Sequence, residues 1–294
     1  MAKIGFVGLG HMGLPMAKNL IKATHNVRGY DLQKDALLVL QESGGEIAAS
    51  IEELAHEQDF IITMLQTGQQ VQSVCFGNTG LFANSAKNTL FIDCSTIDVN
   101  SSLEIHRKAK FYNLRTIDAP VSGGVAGANN KALTFMVGGS KENYDIAKPI
   151  LSAMGQKIIH TGNASHGQAA KICNNMLLGI SMIGVSEAFN LAASLGLSAN
   201  KLHEVLSNSS GKCWVTDKYL PVANVIDGVP ANNNYNPGFT TAMMLKDLRL
   251  SQECASKAKV TTKIAELATA IYQKAVENGK ENLDFSAIIQ EDYL

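Results

Sequence analysis

Residues 3–31 read KIGFVGLGHMGLPMAKNLIKATHNVRGYD, and this stretch decides the fold of the first half of the chain. Lys3 to Val7 is a short apolar run of the kind that forms a parallel strand buried on both faces. It leads into Gly8-Leu9-Gly10-His11-Met12-Gly13 and then into Leu14 to Ile21, whose apolar spacing is helical. In a unit of strand, glycine turn and helix, the first glycine allows the tight turn and the second lets the backbone approach a pyrophosphate. The third lets helix and strand pack closely. The free amides and dipole of the helix then face the phosphates. A second strand, Asn26 to Tyr30, ends in Asp31, 18 residues after Gly13. An acid there accepts hydrogen bonds from the adenosine ribose, and its charge repels a 2′-phosphate. Leu32 follows where an NADP site would more often offer an arginine. The sequence therefore predicts NAD as cofactor.

The alternation of β and α continues outward from this stretch. Helical Lys34 to Glu42 leads to a strand at Glu46 to Ala48, then helical Ile51 to His56 and a buried strand at Phe60 to Leu65. Further strands are expected at Leu90 to Asp93, Thr116 to Ala119, Leu133 to Val137 and Lys157 to His160, with helices at 100–110 and 142–154. Such a pattern specifies a Rossmann-type doubly wound sheet, whose ligand lies beyond the carboxyl ends of the strands. The polar loops Gln66-Thr67-Gly68 and Cys94-Ser95-Thr96 should then border the cofactor. In Asp118-Ala119-Pro120-Val121-Ser122-Gly123-Gly124-Val125-Ala126-Gly127-Ala128, glycines beside Ser122 can aim amides and a hydroxyl at a carboxylate. A tight turn between strands is the other reading of those glycines. Strand signals end near Gly162-Asn163, which sets an N-terminal domain at 1–163.

From 164 to 294 nearly everything reads as helix, so an all-α C-terminal domain is expected, joined to the first by a long interdomain helix. Ser165 and Gln168 have the spacing of a capping box, which starts that helix at about His166. No proline interrupts the next ~30 residues, a rod of about 45 Å. Gly167, Lys171, Asn175 and Gly179 recur every fourth position on one face. That face is either a floor for a small anionic ligand or a surface lysine between packing notches. The apolar Met176 to Val185 is about 10 residues long and fits a buried helix better than a bilayer crossing. Trp214 reads as core packing. Lys246 would meet cofactor or substrate oxygens if it faces inward, and has no such role if it faces out.

Composition narrows the class. The 294 residues suit two domains of ordinary size, and the formal net charge of −1 offers no electrostatic basis for binding nucleic acid or an anionic membrane. Five cysteines without CxxC spacing, apart from the seven histidines, point away from a metal site and towards a reducing, cytoplasmic location. The opening MAKIGFVGLG reads as strand and turn, not as a signal or transit peptide.

These motifs together resemble the β-hydroxyacid dehydrogenase family along the whole chain. The resemblance rests on GLGHMGLPMAKNL, Asp93-Cys94-Ser95-Thr96, DAPVSGGVAGA, GQAAKICNN and LKDLRL. GKCWVTDKY and DGVPANNNYNPGF are more similar to the branch acting on 3-hydroxyisobutyrate than to the branches reducing tartronate semialdehyde or glyoxylate. The resemblance implies Lys171 as general acid/base and Ser122, Gly123, Gly124 and Asn175 on the substrate. It implies Gly8, Leu9, Gly10, His11, Met12, Gly13, Asp31, Leu65, Gln66, Gln70, Thr96 and Lys246 at the cofactor, with no metal. Gln66 departs from the proline often found at that position. The expected reaction is NAD-dependent oxidation of a small hydroxy acid in valine catabolism. Alternatives are another short-chain semialdehyde reductase, or a non-catalytic NAD sensor. A lysine at its ordinary pKa of ~10.4 is a poor base at neutral pH, so burial and a second cation would have to lower it. The apolar helical half suggests a homo-oligomer, dimer or tetramer.

Overall fold

A computed structural model of the chain describes residues 1–291. It divides into two compact units, Met1–Lys171 and Ile172–Leu294.

The first unit is built on one sheet with strands β1 (Lys3–Val7), β2 (Asn26–Tyr30), β3 (Glu46–Ile47), β4 (Phe60–Thr63), β5 (Leu90–Asp93) and β6 (Arg115–Asp118). These pair in parallel in the order β3-β2-β1-β4-β5-β6. The order reverses between β1 and β4, the crevice where doubly wound sheets bind ligands. Beyond β6 follow β7 (Val121–Ser122), β8 (Leu133–Gly138) and β9 (Gly155–Gly162). β6 and β7 both run antiparallel to β8, and β9 pairs in parallel with its other edge.

Side chains with a period of two fill both faces. Ile4, Phe6, Ile62 and Ile92 enter one core, while Val7, Ile61 and Phe91 enter the other. The helix Gly13–Lys22 contributes Met16, Ala17 and Leu20 to the first of these cores. The structure shifts some limits expected from sequence. β4 stops at Thr63 rather than at residue 65, because the Leu65 N–H donates to Ser95 Oγ at 2.9 Å. Thr67 does not lie in an open loop but caps a helix, Gly68–Cys75, accepting from Gln70 N–H at 3.2 Å. The glycine-rich stretch after Asp118 is not irregular either. It holds β7 and a short helix, Gly124–Asn129, with Gly123 and Gly124 at φ of 134° and 61°.

The long helix runs from His166 to Ser194, 29 residues. Its start differs from the capping box expected at Ser165 and Gln168. Ser165 takes a left-handed φ of 64°, and both its N–H and that of Gln168 donate to the Asp118 carboxylate. A buried acid from the sheet out-competes the local serine because a charge-assisted acceptor is the stronger one. The helix is long and apolar enough to cross a membrane by length and composition.

In the second unit the apolar residues of this helix have a protein partner. Met182, Ile183 and Phe189 pack with Val215, Leu220, Met244, Leu248, Tyr272 and Phe285. Val215, Met244, Leu248 and Tyr272 come from helices Trp214–Lys218, Thr241–Ala258 and Lys263–Ala275, Leu220 from just beyond the first of these, and Phe285 from the segment Phe285–Gln290. Asp284, fully buried, ties that segment down. It accepts from the Tyr219 hydroxyl at 2.8 Å, the Gly238 and Phe239 amides at 3.0 and 3.1 Å, and the amide and hydroxyl of Ser286. Trp214 is not the core residue expected. It is 51% exposed and stacks on Tyr219 with ring centroids 5.1 Å apart. A ring supported on one face and open on the other is shaped for contact rather than filling.

Candidate active site

The carboxyl edge of the sheet gathers most of the residues singled out from sequence. The loop Gly8–Gly13 follows β1, Asp31 follows β2, Leu65 and Gln66 follow β4, and Thr96 follows β5. In the glycine loop the three glycines do different things. Gly8 adopts φ +94°, and a Cβ there would lie 2.3 Å from Met64 O. At Gly13 a Cβ would lie 1.9 Å from Gly8 O, so the helix can sit against the strand only without a side chain. Around Gly10 a Cβ would meet nothing within 4 Å, which leaves an open backbone cradle beside exposed His11. Asp31 is fixed at the next strand end, its two oxygens accepting from Leu9 N–H at 2.6 Å and Gln33 N–H at 2.8 Å. Leu32 beside it is 84% exposed. An open glycine cradle and an oriented carboxylate one strand away fit the pyrophosphate and ribose of a dinucleotide.

The loop after β4 is braced by its own helix. Gln66 N–H donates to Gln70 Oε1 at 3.0 Å, so two predicted cofactor residues hold each other. Beneath it Asp93, buried at the end of β5, accepts from Thr63 Oγ1 at 2.8 Å and Ser95 N–H at 3.1 Å. Its other oxygen has no hydrogen-bond partner among the described residues. Burial pushes its pKa up to about 6. Burial also pushes the thiols of Cys75 and Cys94 well up, so neither is a ready nucleophile.

Ser122, Gly123 and Gly124 lie four to six residues beyond Asp118, at the turn from β7 into its short helix. That helix is tied back by Asn19, which donates to Ala128 O at 2.7 Å. Lys171 is buried, 8% exposed, in the second turn of the long helix. The glycines that share its face are closely packed. A Cβ on Gly167 would lie 2.3 Å from Met136 O, and one on Gly179 would lie 3.1 Å from both Leu248 and Met244.

Asn175 and Lys246 belong to the helical unit. Asn175, also buried, donates to Asp247 Oδ2 at 2.5 Å, and Lys246 Nζ lies 3.4 Å from Asp247 Oδ1. Asp247 thus joins two residues predicted separately, although sequence reasoning gave it no role. Its only local signal is an acid next to Lys246 inside an apolar helix. Asp118 and Gln168 were also missed, since their partners lie far away in sequence.

Known proteins match the chain along its length. Residues 3–162 match the family described as the NAD binding domain of 6-phosphogluconate dehydrogenase. Residues 165–291 match the family described as the NAD-binding domain of NADP-dependent 3-hydroxyisobutyrate dehydrogenase. The fold and the glycine cradle define an NAD-dependent oxidoreductase. The mitochondrial 3-hydroxyisobutyrate dehydrogenase of Homo sapiens is 44% identical over 98% of this chain and 85% of its own length. A probable 3-hydroxyisobutyrate dehydrogenase of Mycobacterium bovis is 43% identical over 98% and 97%. The solved Mycobacterium tuberculosis 3-hydroxyisobutyrate dehydrogenase with L-serine has a TM-score of 0.93 and 43% identity, covering 99% of this chain and 98% of that one. The chain belongs to the 3-hydroxyisobutyrate dehydrogenase family.

Proposed function

We propose that this chain oxidises 3-hydroxyisobutyrate to methylmalonate semialdehyde, a step of valine catabolism. The observation that carries the reading is a lysine buried in the second turn of a helix whose first turn is anchored to the carboxyl edge of a nucleotide-binding sheet. Lys171 takes the proton of the substrate hydroxyl as the carbon-bound hydride leaves, and returns it in the reverse direction. Bound NAD supplies the hydride acceptor. Ser122 and the amides of Gly123 and Gly124 receive the carboxylate, and Asn175, held by Asp247, orients the hydroxyl. Gly8 to Gly13, Asp31, Leu65, Gln66, Gln70, Thr96 and Lys246 hold the cofactor. In this reading residues 1–163 serve the cofactor and 164–294 serve substrate and assembly.

The chemistry is tested by absorbance of reduced nicotinamide, using 3-hydroxyisobutyrate, glycerate, 3-hydroxypropionate, glycolate and serine with NAD and NADP. Serine belongs in the panel because the M. tuberculosis relative was solved with it. The expected result is highest kcat/KM for 3-hydroxyisobutyrate with NAD. Preference for glycerate would move the chain to the tartronate semialdehyde branch. Preference for NADP would overturn the role of Asp31.

Two further readings accompany this one. None of the five cysteines is joined in a disulfide among the described residues, which supports a reducing cytoplasmic location. Leu177 and Leu191, 62% and 61% exposed, fall on one face of the long helix, Leu195, 75% exposed, follows its last residue, and the three support a homo-oligomer. Sedimentation velocity of the full chain, returning a multiple of 31.4 kDa, is the expected result.

A further inference from the structure

Asp118 ends β6 with its carboxylate buried, and three donors converge on it. Oδ1 accepts from Ser165 N–H at 2.7 Å and is 2.9 Å from His106 Nε2, while Oδ2 accepts from Gln168 N–H at 2.9 Å. The first amides of the long helix therefore close on a strand end rather than on a neighbouring residue. Gln168, with no exposed surface, extends this hold to the next strand. Its Nε2 donates to Ser95 O at 2.7 Å and its Oε1 accepts from Ile97 N–H at 3.1 Å. These are the backbone groups on either side of Thr96, so one amide side chain grips the Thr96 loop as a paired strand would. Gly167 and Gly138 make the approach possible. A Cβ at either position would lie within 2.7 Å of an Asp118 oxygen.

We propose that Asp118 and Gln168 form a clamp that fixes the turn carrying Lys171 against the ends of β5 and β6, and that both are positioning residues for the reaction. The proposal rests on the reading of Lys171 as acid/base. Helix stability alone does not call for such a device. An ordinary serine cap contributes about 1 kcal/mol to a helix end. The clamp instead links two loops of the carboxyl edge to the lysine three residues beyond Gln168, one helical turn away. A proton-transfer group works only within hydrogen-bond reach of its partner, and a misplacement of about 1 Å costs on the order of 10²-fold in rate.

The test compares Gln168→Ala, Gln168→Glu and Lys171→Ala in the full chain. Gln168→Glu keeps the acceptor for Ile97 and loses the donor to Ser95, so it covers the case in which the alanine variant fails to fold. Measurements are kcat, KM, the pH profile of kcat, NADH affinity by fluorescence, and amide hydrogen exchange across 165–175 without cofactor. The expected result for Gln168→Ala is kcat lower by roughly 10²-fold, a displaced pH profile, a loss of NADH affinity much smaller than the loss of kcat because the glycine cradle and Asp31 are untouched, and faster exchange in the segment. The glutamate variant, which sets an oxygen against Ser95 O where the amide donated, should lose at least as much kcat, with the loss eased at low pH as the carboxyl protonates and regains a donor. Unchanged exchange would remove the clamp. A kcat that follows only the folded fraction, with the pH profile in place, would reduce the pair to a structural role. Wild-type turnover in Lys171→Ala would instead sink the acid/base reading, and the exchange measurement separates that failure from failure of the clamp.

Discussion

Asp93 and Asp118 in the sheet unit and Asp284 in the helical unit are buried acids held in contrasting surroundings. In the sheet unit Asp118 and Asp93 end neighbouring strands in register and lie directly under the loops of the proposed site. In the helical unit Asp284 gathers Tyr219, Gly238, Phe239 and Ser286, none of which the proposed chemistry uses. Stability and activity can therefore be separated by choice of acid. Disturbing Asp284 should unfold without altering the chemistry, whereas disturbing the strand-end acids should change the site itself.

The largest expected effect sharpens the sheet side of this contrast. Lys171→Ala should lower kcat by about 10²- to 10⁴-fold, the usual contribution of a general acid/base. NADH binding, read by fluorescence, should persist because the glycine cradle and Asp31 are untouched. Loss of both together would mean that Lys171 supports the fold rather than the reaction.

Asp284→Ala tests the helical side. Removing an acceptor shared by five donors should destabilise the protein by ~3–5 kcal/mol, measured by urea unfolding. Turnover per folded molecule should be retained. Tyr219 would respond as well, because burial and then the neighbouring Asp284 charge hold its hydroxyl well above its usual titration range. A drop in kcat without loss of stability would break the contrast between the units.

Asp93 gives the smallest and most pH-dependent effect. Its folded pKa of about 6 lies above the ordinary 3.8, so the native state binds more protons than the unfolded chain between those values. Stability contributed by this group is therefore greatest below pH ~4 and falls as pH rises to ~6, by at most about 3 kcal/mol. Asp93→Asn should flatten that part of the pH dependence of the urea midpoint. Identical slopes in variant and wild type would mean that the carboxylate is not the group that titrates there.

Much of the fold was legible because local periodicity encodes it. The apolar run of β1, the spacing of Gly8, Gly10 and Gly13 and the switch to continuous helix near residue 164 all act over a few residues. Limits moved where a distant group competed, as at Leu65, which turns to Ser95 instead of extending β4. Trp214 was misjudged for a related reason: nothing in GKCWVTDKY says that Tyr219 covers only one face of the ring.

Local patterns along the chain specify the dinucleotide-binding sheet, the helical second half and a short set of candidate residues centred on Lys171. How those residues are held follows from packing between distant segments. Asp118 reaches Ser165 and Gln168 across 47 and 50 positions, and Gln168 reaches Ser95 across 73. Asn175 reaches Asp247 across 72. Hydrogen bonds over such separations leave no periodic trace in a chain, since they form only after the strands and helices that carry them have packed.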